Sequence, residues 1–135
     1  MPVRYNTIML IDDNEIDNLI NQKMLEAAQL GQRILTHSGA RAAIESLKNL
    51  EKLSTEAISL IPDIIFLDID MPLMDGFQFL EEFEKMPEKV RDHIKIVMLT
   101  SSLNPQDLSK AKKSQYVRKY INKPLSLDVL NKLDV

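Results

Sequence analysis

The chain has no cysteine, which excludes disulfides, thiolate metal sites and thiol nucleophiles together. It has three glycines in 135 residues, and none builds a glycine-rich phosphate loop behind the first apolar run, which argues against a flavodoxin-like nucleotide binder. No apolar stretch approaches the length of a membrane span, and Met1-Pro2-Val3-Arg4-Tyr5 lacks the apolar core of a secretory signal. Neither sign of charge dominates. The 17 Lys and Arg against 20 Asp and Glu leave a net charge of −3, no footprint for wholesale nucleic-acid or membrane binding. No internal repeat or low-complexity tract interrupts the sequence. These absences leave a cytoplasmic chain with one domain over residues 1–135 as the expectation. Its 44% hydrophobic content supports a real core. The initial Met reads as a natural start, and no room remains for a DNA-binding or catalytic output domain.

What is present is a set of apolar runs ending on reactive side chains. Ile8-Met9-Leu10-Ile11 meets Asp12-Asp13, and Ile64-Ile65-Phe66-Leu67 meets Asp68. Ile96-Val97-Met98-Leu99 ends on Thr100, and a shorter stretch delivers Lys123-Pro124. Such β-branched runs read as strands buried on both faces of a parallel sheet. Ligands in these sheets bind beyond the carboxyl ends of the strands. Three carboxylates, a hydroxyl and an ammonium are therefore aimed at one edge.

Between the runs the pattern is helical. Ile16, Leu19, Ile20, Met24, Ala27 and Ala28 keep helical spacing and stop before Gly31. Gln32 to Thr36 reads as a second strand, and Ser38-Gly39 opens a helix carrying Ala42, Ala43, Leu47 and Leu50. The stretch Glu51 to Ile61 is a connection that extends this helix or comes after it, and Pro62-Asp63 turns into the third strand. Asp75-Gly76 precedes a helix with Phe79, Leu80 and Phe83 on its buried side, stopped near Pro87. Asn104-Pro105 has the form of a capped helix start. Lys119-Tyr120-Ile121 is a short fifth strand, and Pro124 to Val135 a last helix capped by Ser126. Five βα units with right-handed crossovers give a doubly wound, three-layer α/β fold with helices on both faces of a five-stranded parallel sheet.

Asp12, Asp13 and Asp68 at neighbouring strand ends repel one another, which raises at least one pKa unless a cation compensates. Mg²⁺ suits a site of one or two carboxylates, waters and a phosphate. Lys123 brings a second positive charge and Thr100 a hydroxyl for a phosphate oxygen. Together these groups suit phosphoryl transfer, with Asp68 as nucleophile forming an acyl phosphate. Read singly, several are ordinary. Asp13 and Asn14 read equally as helix caps, Asp68 as a turn residue, Thr100 as a β-former and Tyr120 as a sheet-edge ring. Asp12 beside a cap needs another reason, and a lysine before Pro124 near a strand end demands carboxylate partners.

The arrangement resembles the receiver domain of two-component response regulators over essentially the whole chain. Asp12-Asp13, Asp68 within Phe66-Leu67-Asp68-Ile69-Asp70-Met71-Pro72, Met74-Asp75-Gly76, Thr100-Ser101, Tyr120 and Lys123-Pro124 carry the resemblance. It implies a flavodoxin-like sheet of strand order 2-1-3-4-5 and Asp68 as the phosphoacceptor. Asp13 and Asp68 would be direct Mg²⁺ ligands, Asp12 would act through a metal-bound water, and the backbone carbonyl of Asp70 would complete the set. Thr100 is implied as the switch hydroxyl, Tyr120 as the switch aromatic and Lys123 as the partner of the phosphoryl group. The donor would be a sensor histidine kinase or a histidine phosphotransfer protein. The resemblance implies a stand-alone regulator, a signalling protein with slow self-dephosphorylation rather than an enzyme. It would switch a downstream protein through the face of the helix after strand four, strand five and the last helix, or pass the phosphoryl group on, without contacting nucleic acid or membrane.

Two features depart from the pattern. The connection from Leu50 to Pro62 is long, and Asp70 stands where the family varies and often has asparagine. Phe66-Leu67-Asp68-Ile69-Asp70 also resembles the Asp-x-Asp signature of haloacid-dehalogenase-like phosphatases, in which the second Asp is the general acid/base. That family carries the signature on its first strand, whereas here an acidic pair comes first and no cap domain fits. A receiver-like module that is never phosphorylated is the other alternative, but it has no reason to keep costly like charges together. His37 and His93 read as surface or loop histidines and not as metal ligands. Lys110, Lys112, Lys113, Arg118 and Lys119 read as a solvated face, and the seven methionines as core and loop filler.

Overall fold

The computed structural model describes residues 4–51, 61–101 and 104–135. The long connection and most of the turn after Ser101 lie outside the described residues. Five strands, β1 (Tyr5–Ile11), β2 (Gly31–His37), β3 (Ile64–Asp68), β4 (Lys95–Thr100) and β5 (Val117–Asn122), form one sheet. All pairings are parallel and the order is β2-β1-β3-β4-β5, as the resemblance implied. The helices are α1 (Glu15–Ala27), α2 (Ala40–Glu51), α3 (Gly76–Phe83), α4 (Glu88–His93), α5 (Pro105–Lys113) and α6 (Leu127–Asn131).

Side chains alternate across a pleated strand, and both faces of this sheet are covered. Met9, Ile11, Ile65, Leu67, Ile96 and Met98 point into a core closed by α2, α3, α4 and α5. Ile8, Leu10, Ile64, Phe66, Val97 and Leu99 point the other way, into a core closed by α1 and α6. A strand buried on both faces has no polar positions to alternate with, hence the unbroken apolar runs.

Local chemistry sets most of the helix starts. Asn14, Asp75, Asn104 and Ser126 each accept a backbone N–H of the first turn after them, and Asp75 with Gln78 forms a reciprocal capping box. At the amino edge, Asp63 does more than turn the chain. Its Oδ2 accepts from the N–H of Asn6 at 2.7 Å and of Thr7 at 3.3 Å, and His93 Nε2 lies 2.8 Å from its Oδ1. One carboxylate thus ties β1, β3 and the end of α4 together.

Several expectations need correction. The helical face read from Ile16, Leu19 and Ile20 is the exposed one, with Ile16 at 68% exposure, and Asn18, Asn21 and Leu25 are the buried positions of α1. The reason is polar. Asn18 Nδ2 donates to the Asp12 carbonyl at 2.8 Å, and Asn21 Oδ1 accepts from the Leu125 N–H at 3.3 Å, so the helix turns its amides toward backbone groups that would otherwise be orphaned. A short α4 separates Pro87 from β4 where no helix was expected. The last helix covers only Leu127–Asn131 instead of Pro124 to Val135. His37 ends β2 in a half-buried position, and burial holds its imidazole below the ordinary range.

Gly76 is required by close approach. A Cβ there would lie 2.7 Å from the carbonyl oxygen of Asp68 and 3.0 Å from Cα of Ile69, both backbone atoms that cannot yield without moving the strand end. Gly76→Ala is expected to cost about 1–3 kcal/mol by overpacking, measured as a lowered midpoint of urea unfolding.

Candidate functional site at the carboxyl edge of the sheet

The site begins where β1 stops. The Asp12 N–H donates to the His37 carbonyl at 3.1 Å and so extends the β1–β2 pairing by one residue. Its side chain is 1% exposed. Oδ1 accepts from the Asn14 N–H at 2.9 Å and Oδ2 from Lys123 Nζ at 2.6 Å. Asn14 is the helix cap, so Asp13 is left exposed and uncommitted to capping. The capping reading therefore holds for Asn14 and not for Asp13.

Asp68 is the last residue of β3 and only 3% exposed. Its Oδ1 lies 3.0 Å from Lys123 Nζ. Burial pushes its carboxyl up to about 6, and the negative charge of Asp12 adds to the rise. The hydrogen bond and charge of Lys123 and a backbone hydrogen bond from Asp70 hold it from rising further. Lys123 comes directly after β5, and its own N–H donates to the Thr100 carbonyl at 2.8 Å, which pins the chain to the end of β4. Its side chain is 12% exposed. Burial alone would lower its pKa. The hydrogen bonds it donates to Asp12 and Asp68, and their charges, outweigh that, so the ammonium stays protonated well above its ordinary range. The Lys123–Pro124 peptide is cis.

The structure therefore brings Asp12, Asp13, Asp68 and Lys123 to one point. Thr100 is fully buried at the end of β4, one residue beyond the Leu99 that pairs with Asp68. Tyr120 stands apart, opposite Met98 within the sheet, and its ring packs against the core on the α2–α5 side. Its hydroxyl is buried and has no hydrogen-bond partner among the described residues. Asp70 is exposed. His37 and His93 belong to no metal-ligating group among the described residues.

One residue was missed. Asp17, on the first turn of α1, places Oδ2 3.2 Å from Lys123 Nζ. It lies three residues past the Asn14 cap, and no local pattern links it to a lysine 106 residues further on. Beside it a cavity of about 310 Å³ is lined by Asp17, Ile20, Asn21, Ser101, Lys123 and Pro124.

A domain with this sheet order, a triad of acids and a lysine at the carboxyl edge defines a class, and comparison with known proteins places the chain in it. The family model for the response regulator receiver domain matches residues 8–133. The chain belongs to that family, the receiver domains of two-component signalling. The response regulator Rcp1 of Synechocystis is 28% identical over 93% of this chain and 82% of its own length. The sensor histidine kinase CheAY of Helicobacter pylori is 32% identical over 91% of this chain, which spans only 14% of that relative. A two-component response regulator from Cytophaga hutchinsonii superposes with a TM-score of 0.83 at 30% identity, covering 95% of this chain and 92% of its own. Receiver domains are signalling proteins rather than enzymes of the ordinary kind. No helix among the described residues is long and apolar enough to cross a membrane.

Receiver domains bind Mg²⁺ at an acidic pocket, and the donors here fit that ion. Asp12, Asp13 and Asp68 each offer a carboxylate oxygen, all within 4.8 Å of one another. Hard oxygen ligands with net negative charge are what Mg²⁺ selects, and three such carboxylates share this pocket with one ammonium. In metal-free buffer the folded carboxyl takes up its proton near pH 6 and the unfolded one near 3.8, so ionised Asp68 opposes folding. That cost is absent below the unfolded value, grows as pH rises through the interval and is complete above pH 6. Asp68→Asn is therefore expected to stabilise the fold by about 1–3 kcal/mol at pH 7.5. The gain should shrink toward pH 4 in denaturant titrations across that range, and Mg²⁺ should stabilise the wild-type chain but not the variant.

Proposed function

We propose that the chain is a phosphorylation switch in which Asp68 accepts a phosphoryl group from a phosphohistidine donor. The observation that carries this reading is the buried Asp68 carboxylate, 3.0 Å from the Lys123 ammonium and clustered with Asp12 and Asp13. An oxygen of Asp68 attacks phosphorus as the P–N bond to the donor imidazole breaks, and the electron pair leaves with the imidazole. Lys123 bonds an equatorial phosphoryl oxygen, and Thr100 donates its hydroxyl to another. Asp12, Asp13 and Asp68, with the backbone carbonyl of Asp70, would hold Mg²⁺, which would supply neutralisation of the phosphoryl charge. Nucleophile and charge stabilisation suffice, because phosphoryl transfer rests mainly on positioning.

Surfaces on either side of the site fit two partners. Ile16, Leu19 and Ile20 stand exposed on α1, and Ile20 lines the cavity beside Lys123. This apolar patch next to the acceptor suits docking of the histidine-bearing donor. On the far side, a groove between α5 and β5 is lined by Leu108, Lys112, Val117, Arg118 and Tyr120. Lys110, Lys113 and Lys119 are exposed on the same two elements, so an acidic target suits this face. Phosphorylation adds a charge of about −2. Thr100 shifts to bond it, and Tyr120, whose buried hydroxyl lacks a partner among the described residues, moves with it and reshapes the groove.

Incubation with acetyl phosphate and Mg²⁺, with intact-mass measurement afterwards, tests the acceptor. One phosphoryl group should add, and none without Mg²⁺ or in Asp68→Asn. Catalytic release of phosphate with no adduct would instead support a phosphatase. Thr100→Ala should still take up the group but lose most of the phosphorylation-dependent gain in target affinity in a binding titration. Full retention of that gain would break the proposed coupling.

A further inference from the structure

Lys123 meets more carboxylates than the acceptor site needs. Its ammonium has three N–H donors, and three acids surround it: Asp12 Oδ2 at 2.6 Å, Asp68 Oδ1 at 3.0 Å and Asp17 Oδ2 at 3.2 Å. Asp12 and Asp68 are buried floor residues. Asp17 is different, since it belongs to α1, and its side chain is 37% exposed at the rim. Its place is nonetheless set. The Asp17 N–H donates to the Asn14 side chain at 3.1 Å, so the helix cap fixes the first turn from which the carboxylate reaches across to the β5 end. Ile20 and Asn21 continue the same wall of the cavity beside Lys123.

This geometry bears on what happens when Asp68 becomes an acyl phosphate. A lysine is a point charge on a flexible four-carbon stem, and Nζ must then leave the Asp68 carboxylate for a phosphoryl oxygen. With Asp12 alone holding the ammonium, one tether would leave it free to swing. With Asp12 below and Asp17 beside, two tethers persist and the third N–H stays aimed at the acceptor.

We infer that Asp17 is a positioning residue for phosphoryl transfer: it holds Lys123 from the α1 side so that one N–H remains directed at the group arriving on Asp68. The role rests on the acceptor reading proposed above. It also gives the cavity wall a function, because a donor docked on α1 would press on the helix that carries this tether.

The test compares wild type, Asp17→Ala, Asp17→Asn and Asp68→Asn with two readouts. The first is the Lys123 Nζ signal in ¹⁵N NMR of the unphosphorylated, metal-free protein. A held ammonium exchanges slowly and is visible, and a freed one is lost. The second is the rate of adduct formation with acetyl phosphate at saturating Mg²⁺, in which the donor P–O bond breaks and acetate leaves with the electron pair, with the Mg²⁺ affinity measured separately. Asp17→Ala is expected to lose the signal and slow transfer about fivefold, with little change in Mg²⁺ affinity. Asp17→Asn, which keeps an acceptor oxygen without the charge, should restore both. An unchanged or faster rate in Asp17→Ala overturns the role, faster transfer meaning that Asp17 repels phosphate or competes for Lys123. Failure of Asp17→Asn to restore the rate also overturns it, by making charge rather than position the cause. No adduct on the wild-type chain overturns the acceptor reading and this role with it, whereas wild-type transfer matched by Asp17→Ala overturns this role alone.

Discussion

The structure turns on one ammonium among carboxylates. Lys123 is nearly buried, a position a lysine holds only when its charge is met, and three acids from β1, α1 and β3 meet it. Remove it, and Asp12 and Asp68 are left as buried like charges with no counter-ion. The same residue ties the end of β5 to β4 through its backbone, so charge balance and chain path are solved at one point. The balance is incomplete. One ammonium against four acids leaves the pocket short of positive charge, and the Asp12 charge adds to the rise that burial causes in the Asp68 carboxyl. A stable core would favour neutralising it. The proposed acceptor role would use it, because a divalent cation and Lys123 together could neutralise an arriving phosphoryl group.

The scaffold around this point is assembled to keep it rigid. Apolar side chains alternate between two closed cores, so the strand ends cannot slide without turning the sheet inside out. Gly76 lets α3 start directly against the Asp68 carbonyl, and the Gly76 N–H donates to the Ile69 carbonyl at 2.9 Å. At the opposite edge Asp63 gathers β1, β3 and α4. The outer elements leave more of their groups unpaired. The outer face of α1 carries unburied Ile16 and Leu19, and the α5–β5 face leaves a buried tyrosine hydroxyl without a partner among the described residues.

Most of the fold and most of the site were legible because both depend on local rules. A β-branched run buried on both faces is written continuously in the sequence, and the residue that ends it lies at the sheet's carboxyl edge. That places Asp12, Asp13, Asp68, Thr100 and Lys123 without any knowledge of contacts. Caps at Asn14, Asp75, Asn104 and Ser126 were equally open to reading, since a cap is a matter of one residue and the turn after it. The roll of α1 was not. Ile16, Leu19 and Ile20 carry the periodicity of a buried face, yet Asn18 and Asn21 face inward, because orphaned backbone groups at Asp12 and Leu125 outrank apolar burial there.

The sequence by itself determined the order of the five strands, the two-sided core and the collection of acids, hydroxyl and lysine at one edge, because each depends only on period, run length and chain direction. Tertiary structure alone decided which oxygen meets which proton. Asp17 joins Lys123 only because α1 is rolled to satisfy two backbone groups, and Asp68 is raised chiefly because the packed sheet excludes water from its carboxyl, with the Asp12 charge adding to it. Rotation of a helix and the dielectric around a side chain are properties of the assembled neighbours, and no local pattern encodes them.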